Sequence, residues 1–216
     1  MEIKTLPVAP IWENSYIVSE KNEAFIVDPG GETEKIIRAA DGLDVRYILL
    51  THAHFDHILG LNAVKNAFPD AKLAVHKLEK EWLYDPSLNM SDDFFPDLEF
   101  VYEKKNVEIM LEDGMELDFA GTKIKVFHTP GHTPGSTCFY IEKNDSSGKP
   151  VLFSGDTLFR SSVGRTDFPG GDGRKIVESI KTKLLTLPDE TVVYPGHEEN
   201  TSIALEKKLN PFLNRG

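Results

Sequence analysis

The chain has a single cysteine, Cys138, among its 216 residues. No intramolecular disulfide can form, so packing must hold the fold, and a reducing cytoplasmic setting is expected. Cys138 sits in Ser136-Thr137-Cys138-Phe139-Tyr140-Ile141, which reads as a buried strand, so its thiol is assigned to packing rather than to reactivity. No apolar run approaches the roughly 18–20 residues that cross a bilayer, which excludes a membrane-spanning helix. The opening Met1-Glu2-Ile3-Lys4-Thr5-Leu6-Pro7 has neither the basic nor the apolar region of a secretory signal. A cytoplasmic protein without a membrane partner is expected. Positive charge is scarce as well: 24 Lys and Arg stand against 35 Asp and Glu, a formal net charge of −11. That balance repels nucleic acid and excludes it as a partner. Internal repeats and low-complexity tracts are absent, and the sequence carries no signal for an oligomeric state.

What is present is an ordinary globular composition, 40% hydrophobic and 27% charged, at a length that predicts one domain over 1–216. Short β-like runs are expected at 3–8, 15–19, 24–28 and 45–50, and again at 71–76, 122–128, 151–153 and 191–194. Helices are expected over 32–40, 58–68, 77–82, 174–185 and 201–209 from their apolar spacing and their Pro or Gly boundaries. Residues 84–105, with Pro86, Pro96 and Phe94-Phe95, form the least regular stretch. They read as a surface excursion with core anchors, or as a flap whose aromatics border a pocket.

The chemistry concentrates at the ends of the apolar runs. Tyr47-Ile48-Leu49-Leu50 leads into Thr51-His52-Ala53-His54-Phe55-Asp56-His57, where four metal-ligating side chains occupy six residues. On extended chain, residues i and i+2 share a face, so His52 and His54 can grip one ion. Asp56 and His57, where the chain turns toward a helix, face a second point. Imidazole and carboxylate suit zinc, iron or manganese, and the lack of cysteine argues against a structural zinc knot. Three later runs end in Gly-containing turns that carry His132, Asp156 and His197, beside Gly131, Gly155 and Gly196. His76, alone at a strand end, reads as structural, and His128 as a strand-end residue rather than a ligand.

The Thr51–His57 pattern, followed in order by His132, Asp156 and His197, resembles the metallo-β-lactamase superfamily. The resemblance spans nearly the whole chain. It implies a four-layer αββα sandwich, two facing mixed sheets with helices outside, and a metal site at one sheet edge. It also implies two divalent metal ions, zinc first, with iron or manganese as the other candidates. His52, His54 and His132 would hold one ion and Asp56, His57 and His197 the other, with Asp156 bridging. The ions would share a water and lower its pKa, so that hydroxide attacks the substrate, with Asp56 orienting it.

Within the superfamily, a secreted β-lactamase is disfavoured by the missing leader and the missing cysteine ligand. Gly155-Asp156-Thr157-Leu158-Phe159 and Pro195-Gly196-His197-Glu198-Glu199-Asn200-Thr201 look like the glyoxalase II group, hydrolases of hydroxyacyl-glutathione thioesters. Full-length members add a helical C-terminal domain, so this chain looks like the short, single-domain bacterial hydrolases. Arg165 keeps the basic residue of the substrate loop, but Asp167 stands where a glutathione-contacting Tyr is expected. Arg165 either binds a substrate carboxylate or forms an internal salt bridge. The implied function is hydrolysis of a small-molecule thioester such as S-lactoylglutathione. The rival is a mononuclear iron persulfide dioxygenase, a group that shares the Gly164-Arg165-Thr166-Asp167-Phe168 run and would use His52, His132 and Asp156 alone.

Overall fold

The computed structural model describes residues 1–94, 99–143 and 148–214. The chain divides into two compact units, Met1–Leu111 and Glu112–Gly216, each built on one six-stranded mixed sheet.

The first unit opens with an antiparallel meander, β1 (Glu2–Val8), β2 (Glu13–Glu20) and β3 (Glu23–Val27). Parallel strands β4 (Asp44–Leu49), β5 (Lys72–His76) and β6 (Ile109–Leu111) then follow in sheet order. Val27 pairs with Leu49 and Leu49 with Ala74, so β3 and β4 end level with one another and β5 runs two residues further. Asp28, the Thr51–His57 loop and His76 therefore issue from one sheet edge, where crossover-connected parallel strands place chemistry. Ile48 and Leu49, adjacent on β4, are both fully buried, as expected of a parallel strand covered on both faces.

Helix α1 (Thr33–Ala39) buries Ile36 where the sequence expected a helix. The expected helix over 58–68 is two pieces, α2 (Phe55–Ile58) and α3 (Leu61–Ala67). The break falls at Gly60, whose N–H donates to the Pro29 carbonyl at 2.8 Å, while a Cβ there would stand 2.8 Å from that same oxygen. The helix expected over 77–82 is two tighter 3₁₀ turns, Lys77–Glu79 and Glu81–Tyr84. Between 84 and 105 lies a short helix, α4 (Ser91–Phe94). Phe95 and Pro96 of the expected flap lie outside the described residues.

The second unit carries β7 (Glu116–Phe119), β8 (Thr122–His128), β9 (Thr137–Ile141), β10 (Val151–Gly155), β13 (Val192–Pro195) and β14 (Thr201–Ser202). β10 and β13 are parallel and adjacent, and the Gly196 N–H donates to the Gly155 carbonyl at 2.9 Å. Asp156 and His197 thus follow neighbouring strand ends. The hairpin of β11 (Leu158–Phe159) and β12 (Ser162–Val163) was not anticipated. Two residues per strand leave no period to read.

Helix α5 (Gly173–Ser179) starts on the Asp172 carboxylate, which accepts from the Arg174 and Lys175 N–H groups, and runs into a π-helical turn over Ile180–Leu184. Helix α6 (Ile203–Leu209) begins two residues later than expected because Thr201-Ser202 is taken up as β14. Cys138 is fully buried among Tyr140, Leu152, Ile180 and Val193, so it is a packing residue. Among the described residues, no helix is long and apolar enough to cross a membrane.

One buried cation sets an acid sensitivity in the first unit. Lys65, on α3, donates to the Ala71 carbonyl and to Glu108, 2.9 Å away, and Glu108 also accepts from the Leu73 N–H at 2.8 Å. Burial raises the Glu108 pKa, but the bonds from Lys65 and Leu73 outweigh it and leave the carboxyl below its ordinary value. The stabilisation is therefore present above the unfolded-state pKa and is lost as pH falls through the lowered folded value. Glu108→Ala should cost about 1–3 kcal/mol in urea unfolding at neutral pH, because the Lys65 ammonium loses its partner. The deficit should shrink as the pH is lowered toward 3; a deficit independent of pH would refute this account.

Candidate metal centre

In the first unit, every side chain on the Thr51–His57 loop that can ligate is buried: His52, His54, Asp56 and His57 are each no more than 5% exposed. The rings of His52 and His54 lie 4.8 Å apart and those of His52 and His57 4.1 Å apart. Burying so much polar surface is costly unless each group is bonded. Asp28 supplies the bonds. Its carboxylate accepts from the Thr51 N–H at 2.7 Å, from the Thr51 hydroxyl at 2.6 Å and from His57 Nδ1 at 2.9 Å. Since the Thr51 hydroxyl gives its proton to Asp28, it can only accept from His52 Nδ1, 3.1 Å away. Both imidazoles are thereby assigned as Nδ1–H tautomers whose Nε2 is a lone-pair donor, the form that binds metal.

Two further carboxyls back this loop. Glu13 Oε1 is 3.8 Å from His57 Nδ1, and Glu79, fully buried, accepts from the Ala53 N–H at 2.7 Å. Ala53 lies between His52 and His54, so Glu79 pins the short stretch that sets their separation. The segment after β5 holds the loop elsewhere too. Trp82 packs on His54 with ring centres 5.8 Å apart, the Asn89 carbonyl accepts from the Phe55 N–H, and Phe94 stacks on Phe55 at 5.6 Å. The irregular stretch is thus partly a brace for the histidine loop.

In the second unit, His132, Asp156 and His197 come together. Asp156 Oδ2 lies 3.6 Å from His132 Nε2 and 3.7 Å from His197 Nε2. Both distances exceed those of a hydrogen bond. They are close to the roughly 3.4 Å that separates two ligands each about 2.1 Å from a tetrahedral ion. In the first unit His57 Nε2 and Asp56 Oδ2 are 3.4 Å apart, the same spacing. His132 donates Nδ1–H to the Arg165 carbonyl at 2.7 Å, which leaves Nε2 as its ligating atom. Gly131 and Gly155 take φ of 145° and 48°, conformations that a side chain would strain. The donor set is thus imidazoles and carboxylates at ligand spacing, which fits divalent metal ions.

Arg165 spends one edge of its guanidinium on Asp167. Its Nε donates to Asp167 Oδ1 at 2.8 Å and its Nη2 to Oδ2 at 2.7 Å, with the guanidinium 3.8 Å over the Phe168 ring. The internal salt bridge, one of the two sequence readings, is present. The Arg165 bonds, with the Asp167 N–H, hold the Asp167 carboxyl down to about 2.

His76 accepts from the Leu78 N–H as the cap of a 3₁₀ turn. His128 bonds the Pro134 carbonyl through Nε2, at 2.8 Å, and its N–H donates to Asp113. Both have structural roles. Sequence reasoning missed Asp28 and Glu79. Asp28 closes the run expected over 24–28, and an acid ending the strand beside the histidine strand was a usable signal. Nothing local marks Glu79.

The family profile described as the metallo-beta-lactamase superfamily matches residues 13–197. A Bacillus subtilis relative named probable metallo-hydrolase YqgX is 39% identical over 99% of this chain and 98% of its own length. A Haemophilus influenzae relative named hydroxyacylglutathione hydrolase GloC is 37% identical over 99% of both chains. Among solved structures, the BLEG-1 B3 metallo-beta-lactamase is 40% identical with a TM-score of 0.91, covering 99% of this chain and all of that one. The di-iron-bound form of TTHA1623 is 37% identical with a TM-score of 0.81, covering 97% of this chain and all of that one.

Removing the Glu79 acceptor tests its place in the loop. Glu79→Ala should lower stability by about 1–3 kcal/mol, the cost of stranding the buried Ala53 N–H. It should also reduce the metal retained after dialysis. Glu79→Gln, whose amide oxygen still accepts, should recover most of both. Equal losses in the two variants would show that the bond to Ala53 is not what matters.

Proposed function

The chain belongs to the metallo-β-lactamase superfamily of metal-dependent hydrolases and has its fold of two mixed sheets with helices, and on that premise we propose that it hydrolyses a small hydroxyacyl thioester, S-lactoylglutathione or a related thiol ester. The observation that carries the reading is the spacing of Asp156 from two imidazole Nε2 atoms, ligand-like rather than hydrogen-bonded. We assign His52, His54 and His132 to one ion, Asp56, His57 and His197 to the other, and Asp156 to both. Two divalent ions, zinc first and iron or manganese next, would supply an acidified water and a Lewis acid for the substrate carbonyl.

The chain's own groups do the rest. Asp28, the Thr51 hydroxyl and the Arg165 carbonyl keep His57, His52 and His132 in the ligating tautomer. Asp56 accepts a proton of the attacking water and so aims its oxygen at the carbonyl carbon. Water's oxygen bonds to that carbon, the C–S bond breaks, and the thiolate leaves with the proton. A thioester rather than another acyl bond is supported by the Gly155–Phe159 and Pro195–Thr201 runs and by the name of the Haemophilus influenzae relative. Opening of a lactam ring is a second reading, favoured by the B3 metallo-beta-lactamase neighbour. Both reactions hand an acyl group to water.

Elemental analysis of freshly purified protein should find about two ions per chain, and the protein should hydrolyse S-lactoylglutathione faster than a cephalosporin. His54→Ala should reduce kcat/KM by more than the roughly 10–100-fold that loss of an outer partner costs. Asp156→Asn should lose both ions. Undiminished hydrolysis by His54→Ala sinks the ligand assignment. One iron per chain with oxygen uptake on a persulfide moves the function to the dioxygenase reading, held by His52, His132 and Asp156.

A further inference from the structure

We propose that Asp167 is a specificity-determining residue that closes Arg165 to substrate carboxylates, so that the thiol half of the preferred thioester brings no carboxylate to this loop. The inference rests on the thioester reading above. A guanidinium recognises a carboxylate best through two parallel N–H groups on one edge, and in Arg165 the Nε and Nη2 edge is already occupied by both Asp167 oxygens. The pair is exposed, at 56% and 66% for the two side chains, so it faces arriving solutes rather than the core.

It also sits beside the chemistry. The Arg165 carbonyl takes the proton of His132 Nδ1, and Phe168, under the guanidinium, lies 6.4 Å from the His132 ring. A thioester bound at His132 has this loop within reach, and the proposal places its thiol substituent there. A carboxylate on that substituent that seeks the Nε and Nη2 edge must displace one tethered two residues from the arginine. Because Asp167 is ionised throughout the neutral range, the competitor is always present. Thiols that are neutral here, or that carry an amine able to approach Asp167, meet no such competition.

The test compares wild type, Asp167→Asn and Asp167→Asn/Arg165→Ala as metal-loaded proteins. Lactoyl thioesters of glutathione and of uncharged N-acetylcysteamine share the acyl group and differ in the thiol. The ratio of kcat/KM for the anionic over the neutral ester should rise roughly two- to five-fold in Asp167→Asn, the range of an exposed ion pair. S-methylglutathione, which cannot be hydrolysed, should bind more tightly by a similar factor in calorimetry, and the gain should shrink at high salt. Both gains should vanish in the double variant, which keeps the Arg165 carbonyl and so the His132 contact. An unchanged ratio with unchanged binding overturns the proposal. So does a gain that survives without the guanidinium, or an equal fall in kcat for both esters with no change in binding. If no thioester is turned over, the hydrolase reading fails on its own, and the binding arm still decides the role of Asp167.

Discussion

A buried imidazole can serve a cation only if its other nitrogen is already committed. That constraint organises the loops of both units. Asp28 takes the Nδ1 proton of His57 directly and that of His52 through the Thr51 hydroxyl, and the Arg165 carbonyl takes that of His132. Each of these partners only accepts toward the ring, so the tautomer is fixed by hydrogen-bond parity before any ligand arrives. The level ends of β3 and β4 matter because they bring Asp28 to the base of the histidine loop. The sheet register thereby sets the protonation pattern.

The same loop gathers negative charge in a way that burial alone disfavours. Glu13, Asp28, Asp56 and Glu79 are all almost fully buried in the first unit. Carboxyls taken out of water need compensation from donors or cations. Backbone N–H groups and imidazoles supply part of it, and a dication would supply the rest. Such a cluster makes poor sense as a packing solution and good sense as a metal cradle.

Much of this was legible in the sequence because strand ends and ligands are written together. Apolar runs stopping at His52, Asp156 and His197 gave both the element and the residue it delivers, and β1–β5, β8, β10 and β13 lie where the runs are. What was not legible depends on partners distant in sequence. The helix expected through 58–68 is interrupted at Gly60, whose N–H turns to the Pro29 carbonyl, and no periodicity within the helix records that. Glu79 follows His76 by three residues, and nothing local distinguishes it from a solvated acid. The β11–β12 hairpin is too short to carry a pattern. Arg165 was read with two possible partners, and its pairing with Asp167 became visible only in the geometry of its own loop.

The parallel pairing of β10 with β13 has a consequence for how the chain is made. The first unit's sheet is complete once Leu111 has been synthesised, and its strands are joined mostly to sequence neighbours. The second unit cannot close its sheet until residues 192–195 emerge to lie beside 151–155. Translation is slow compared with folding of a small unit, so units tend to fold in the order in which they appear. The first unit, with its histidine loop, can therefore fold before the second unit has emerged in full. A chain folded only that far already presents four potential ligands, His52, His54, Asp56 and His57, from a single loop.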